Sequence, residues 1–207
     1  MTELFLYGRE DGLFKQVLNQ SKVIAGRYHV SPNYGHDLNT NNLETFIKDP
    51  KYGLQDVAIK YPLCVCMTPS SRFVKINTIK WEHFSFTLFF LCNANQDGNN
   101  QIKKLDKDTN TSAQTVPDDW DAMKQCASDF LDILWNVTLK KSLANGAPLK
   151  SILNIDFDNA VIGRLTLFNN DKLNGASVSF QATMQTNCCA VTDYNNDVLN
   201  NITIPNM

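Results

Sequence analysis

The chain has 207 residues, 43% of them hydrophobic, and a formal net charge of −2. That suits one domain with a sizeable core and long loops, and it excludes a protein that coats nucleic acid through cationic excess. No run approaches the roughly 18 consecutive apolar residues of a membrane span, and the start, MTELFLYGREDG, has neither the cationic region nor the apolar length of a secretory signal. Synthesis in a reducing cytoplasm is therefore expected, with the six cysteines as thiols.

The first helix is expected from Gly12 to Tyr28. Leu13, Phe14, Val17, Leu18, Ile24, Ala25 and Tyr28 fall near one face of it, with Ser21 among them. Asp11 is placed to cap its free N–H groups. Residues 31–56 hold SPNYGHDLNTNN and KDPKYG around a short apolar patch of Leu43, Phe46 and Ile47. Such turn-rich sequence predicts an irregular arm with at most a short helix. Val57–Met67 reads as a strand that Pro62 confines to an edge or breaks at Tyr61-Pro62. Thr68-Pro-Ser-Ser71 predicts a turn, and Arg72–Cys92 a long returning strand, unbroken or bulged near Asn77.

Within that strand, WEHFSFTLFFLC carries the strongest signal. One face reads Phe84, Phe86, Leu88, Phe90 and Cys92; the other reads Ser85, Thr87, Phe89 and Leu91. Alternation gives way to apolar residues on both faces, the pattern of a central strand buried on two sides at its end.

Residues 93–118 have no apolar periodicity, and a connection of that length in a compact domain is functional or disordered. A second helix follows from about Pro117 to Ser142, with Trp120, Met123, Ala127, Phe130, Leu131, Leu134, Trp135, Thr138 and Leu139 at helical spacing. Asp118, Asp119 and Asp121 suit its positive end, Lys140 and Lys141 its negative end. Asn145-Gly146 and Pro148 end it. Two strands are expected at Ser151–Phe157 and Ala160–Phe168, then a turn over Asn169–Gly175. A last strand over Ala176–Asn187 alternates Val178, Phe180, Ala182 and Met184 inside with Ser177, Ser179, Gln181, Thr183 and Gln185 outside. Residues 191–207 read as a polar tail. The expected architecture is α+β: a largely antiparallel sheet packed against two helices on one side. Residues 1–190 form a single domain in this reading, with the irregular arm at 31–56 and the long loop at 93–118.

Residues that could carry chemistry are few. Cys64 and Cys66 share a strand face, and Cys188-Cys189 ends a strand, so four thiolates could hold zinc. Structural zinc sites use cysteine knuckles in turns, however, and small buried thiols fit these positions better. His29, His36 and His83 are scattered without a carboxylate or nucleophile at a triad or metal-helix spacing. Asp156 and Asp158 share a strand face, but they precede Asn159 and fit a solvated turn. Asparagine is abundant, with 24 residues, many in runs. Glycosylation sequons such as those at Asn110, Asn136 and Asn201 are what chance gives at that frequency. The asparagine excess fits an AT-rich bacterial genome or that of its virus. No dinucleotide, phosphate-loop, nucleophile-elbow or zinc-protease motif occurs. No catalytic, cofactor-binding or metal-binding residues are assigned, and the chain is not expected to be an enzyme.

The order of elements over about 57–190 carries a resemblance. Tyr61-Pro62 opens a strand; a long aromatic strand, Trp81–Cys92, and a polar stretch follow; then comes a helix centred on Gln125-Cys-Ala-Ser-Asp-Phe-Leu-Asp-Ile-Leu. Asp171-Lys-Leu-Asn-Gly175 leads into a last strand with a cysteine pair at its end. This resembles the small tail-terminator and tail-completion proteins of tailed bacteriophages, especially those of phages of Bacteroidetes. The resemblance implies a structural virion protein that forms a homo-oligomeric ring at the head-proximal end of the tail tube, or in the neck or head–tail connector. Its partners would be other copies of itself and the tail-tube and neck proteins. It would need no cofactor, membrane or sequence-specific nucleic acid. It would be made in the host cytoplasm and reside in the tail or neck of the virion.

Other readings predict other features. A collar or tail-hub ring protein of a short-tailed phage would show the same sheet-and-helix unit. A small-ligand-binding α+β module would show an apolar cavity behind its sheet. An enzyme would show titratable groups clustered in a pocket.

Overall fold

The computed structural model describes residues 4–8, 12–34, 61–76, 79–93, 116–142, 146, 148–167 and 173–185. A single π-helical turn, Leu4–Gly8, precedes helix α1 (Leu13–Asn19). Strands β1 (Tyr28–Tyr34), β2 (Leu63–Thr68), β3 (Ser70–Ile76) and β4 (Ile79–Asn93) follow, then the long helix α2 (Val116–Lys140). A 3-10 turn at Leu149–Ser151 leads into β5 (Leu153–Leu167) and β6 (Leu173–Gln185). The six strands form one sheet in the order β1-β2-β4-β6-β5, with β3 paired to β4 on the same side as β2. Among the described strands only β1 and β2 run parallel. The remaining pairings are antiparallel, so the sheet is mixed but mostly antiparallel, and both helices cover one face of it. The α+β reading of the sequence is what the fold shows.

Strand β4 is the axis. Along it Phe84, Phe86, Leu88, Phe90 and Cys92 enter the core beneath the helices. There they meet Phe14 and Val17 of α1, Met123, Ala127, Phe130 and Leu134 of α2, and Val178, Phe180, Ala182 and Met184 of β6. Phe14 stands edge-on to Phe86 at 5.0 Å and to Phe130 at 5.4 Å, and Phe86 stacks on Phe180 at 5.4 Å. Offset and edge-on pairs of this kind favour the ring quadrupoles and add to the burial itself. On the opposite face, Phe89 and Leu91 join Tyr61, Leu63, Val65, Met67 and Leu173 in a second buried cluster. The end of β4 is thus buried on both sides, as its sequence pattern predicts, while Ser85 and Thr87 stay on the polar half of the outer face. Gly175 belongs to this crowded region: a Cβ there would stand 2.1 Å from the carbonyl oxygen of Phe90, so only glycine lets β6 run this close to β4.

Several sequence expectations give way to tertiary pairing. Helix α1 ends at Asn19, well short of Tyr28. Beyond its end, Ala25 (φ 48°) and Gly26 (φ 75°) adopt left-handed backbone that turns the chain into the strand at Tyr28. Its N-cap is Gly12 without a side-chain cap bond, and Asp11 lies outside the described residues. Ile24 and Tyr28 are buried as expected, but from a turn and a strand. Residues 28–34, which run from the expected helix end at Tyr28 into the start of the expected arm at 31, are β1, held in register by Tyr28 opposite Cys64 through Ser31 opposite Met67.

Thr68–Ser71 is not a turn. Cys66 pairs with Leu88 and Ser70 with Ser85, so the ladder only shifts by one residue across Pro69, whose missing N–H an edge position tolerates. The chain reverses instead between Ile76 and Ile79, which face each other. Likewise the two strands expected at 151–168 are one strand, β5, with an irregularity between Asp156 and Val161. The expected turn over Asn169–Gly175 ends earlier, because β6 already begins at Leu173. Helix α2 and the alternation of β6 follow the sequence reading closely. The rest of the arm, the loop at 94–115 and the tail lie outside the described residues.

Candidate functional site

The residues singled out for chemistry do not converge. Cys64, Cys66, Cys92 and Cys126 are all buried in the core beneath the helices. Burial pushes the Cys66 thiol up to about 12 and the Cys126 thiol up to about 11, and it raises Cys64 and Cys92 too. Metal ligation needs thiolates, and this environment favours the neutral thiol. The Cys66 thiol donates to the carbonyl of Met67 and the Cys92 thiol to that of Asn174. Among the described residues no three His, Cys, Asp or Glu side chains come together as a metal site. Cys188 and Cys189 lie outside the described residues.

His29 lies opposite Val65 on β1, whereas His83 lies on β4 with its Nδ1 3.0 Å from Thr183 Oγ1; His36 is outside the described residues. The Asp156 carboxylate accepts bonds from the Asn159 amide at 3.3 Å and its side-chain Nδ2 at 2.7 Å. That closes the irregular segment of β5 as a local turn, while Asp158 points to solvent. Asn136, one of the sequon positions, instead donates to the carbonyl of Asp132 within α2.

Three surface features stand out. On the outer sheet face, Ser70, Ser71, Arg72, His83, Ser85 and Gln181 line a shallow polar cleft of about 270 Å³. It offers hydroxyls, an amide, an imidazole and one guanidinium, and among the described residues no carboxylate lines it to orient the imidazole as a base. The second feature is the β3–β4 hairpin. β3 pairs only with β4, so its other edge has no strand partner among the described residues. The hairpin exposes Phe73 (58%), Ile76 (48%) and Ile79 (41%). Lys75 faces Lys80 directly across it, and the Lys80 ammonium sits 3.8 Å from the centre of the Phe73 ring. The third is a groove of about 450 Å³ between the end of α1 and the middle of α2. Val17, Leu18 and Phe130 form its apolar floor, with Asp129, Asp132 and Ile133 on the α2 side and Lys22 and Val23 on the other.

Sequence reasoning missed the hairpin and the groove. An apolar residue on an edge strand and one in the core look alike in a sequence of alternating type. It also placed Asp119 at the helix end for its charge alone. Asp119 is in fact 2% exposed and accepts a bond from Asn174 Nδ2, while the neighbouring Trp120 indole donates to the carbonyl of Leu165 at 3.0 Å. The spacing of Asp119 four residues before buried Met123 was the available signal. These contacts anchor α2 to β5 and β6.

Comparison with known proteins finds no matching family model and no matching curated relative. The functional reading therefore rests on the surfaces themselves and on the element order.

Proposed function

We propose that this chain is a structural, non-enzymatic virion protein of a tailed bacteriophage, one of several copies in a ring at the end of the tail tube or in the neck. The observation that carries the assembly part is the β3–β4 hairpin. Folded proteins blunt exposed strand edges with charge, bulges or cover. This hairpin carries Arg72, Lys75 and Lys80, yet it also holds Phe73, Ile76 and Ile79 exposed, a feature of surfaces that meet another protein. The phage part is supported by the element order that resembles tail-terminator and tail-completion proteins. The serine, threonine and glutamine side chains along the outer faces of β4 and β6 fit polar contacts at subunit boundaries.

A ligand-binding module has less support. The rings of Phe14, Phe86, Phe130 and Phe180 interlock in the space behind the sheet where its cavity belongs. Sedimentation velocity and negative-stain imaging of the purified chain test the reading. A discrete closed ring is expected, formed as concentration rises. A monomer at every concentration, alone and with isolated tail tubes, sinks it.

A further inference from the structure

We infer that the β3–β4 hairpin of one copy docks into the α1–α2 groove of the next copy, the heterologous contact from which the ring is built; this rests on the ring reading above. The two surfaces complement each other in two independent respects. The hairpin presents exposed Ile76 and Ile79 on one face and Phe73 on the other, and the groove presents an apolar floor of Val17, Leu18 and Phe130 with Ile133 37% exposed beside it. The paired stretch of β3 and β4 also carries Lys75 and Lys80 on the Phe73 face and Arg72 on the Ile76 face, and the α2 side of the groove carries Asp129 and Asp132. Lys22, on the α1 side, is the single cation among the described residues that line the groove.

The charge arrangement within the hairpin points the same way. Like charges placed directly opposite on paired strands repel. Lys75 and Lys80 are such a pair, and an acidic surface adds a favourable partner to this cationic face. The Asp129 carboxylate accepts a bond from Gln125 Nε2 at 2.7 Å, which fixes one oxygen and leaves the group on the rim. Both surfaces belong to one chain but to different elements, so hairpin and groove can engage two different neighbours. Each copy offers a hairpin to one neighbour and a groove to the other. A contact of that type closes into a ring when its rotation divides a full turn, and otherwise grows as a filament. The aromatic and aliphatic side chains would supply most of the affinity, and the charges would set which partner fits.

Charge reversal tests the contact in the full chain. Lys75→Glu with Lys80→Glu, and separately Asp129→Lys with Asp132→Lys, should each weaken assembly by roughly tenfold or more, because attraction becomes repulsion at the rim. Combining all four substitutions in one chain should restore much of the loss. Equal thermal midpoints by circular dichroism show that each variant folds, and Ile133→Glu, an already exposed site, gives a second block to the groove. If the unmodified chain assembles and the reversals leave assembly unchanged, the hairpin–groove contact is overturned and the ring reading stands. The contact is also overturned if each reversal weakens assembly and the fourfold variant recovers nothing. A chain that never assembles overturns both.

Discussion

Asn174 Nδ2 donates to Asp119 Oδ2 across 3.2 Å, at a point where both side chains are 2% exposed. The pair joins the first turn of α2 to the start of β6, whose residue 174 also receives the Cys92 thiol on its carbonyl. A buried carboxylate is costly unless hydrogen bonds replace the water it has lost. Asn174→Ala removes one of them and should destabilise the fold by about 1–3 kcal/mol, the cost of stranding a buried polar group. Urea unfolding measures this as a shift of midpoint at unchanged slope. A loss under about 0.5 kcal/mol would show that the contact holds nothing.

The core beneath the helices makes a second claim. Phe86 touches the rings of Tyr7, Phe14, Phe84 and Phe180, and Phe130 touches those of Phe14, Phe90 and Phe180. Phe86→Ala and Phe130→Ala should each cost about 3–5 kcal/mol, the range for an emptied buried Phe site. Because both rings contact Phe14, the double variant should lose less than the sum of the two. Equilibrium unfolding of both single variants and the pair checks this. Additive losses, or single losses below about 1 kcal/mol, contradict the packing.

The buried thiols predict a pH dependence. Cys66 and Cys126 are raised from an ordinary value of 9.0 to about 12 and about 11, mainly by burial. In the unfolded chain these thiols ionise near their ordinary value, while the folded chain keeps its protons. The stabilisation is therefore complete below about pH 9 and is lost as pH rises towards 11 to 12. At pH 8 the native protein should hold Cys64, Cys66, Cys92 and Cys126 unreactive to a thiol reagent until it unfolds. Rapid labelling of these four positions under native conditions, located by peptide mass mapping, would contradict their placement.

Periodicity alone was enough to determine the parts of this protein whose environment repeats along the chain. The shift of β4 from one-sided to two-sided burial is written in Phe84 through Cys92. The buried stripe of α2 is written in Met123, Ala127, Phe130 and Leu134, and the alternation of β6 in Val178 through Met184. These are local patterns, in which each residue's burial follows from its neighbours' spacing. What depends on distant partners was not legible. Residues 28–34 carry proline and polar side chains and become a strand only because β2 aligns beside them. Thr68–Ser71 has turn chemistry and yet stays extended, because β4 pairs on both sides of Pro69. The candidate surfaces depend on the fold entirely. Phe73 and Phe86 are equally apolar in sequence, but β3 stands at an edge while β4 is flanked by β6 and roofed by helices. Position in the sheet, not residue type, leaves the first in water and buries the second.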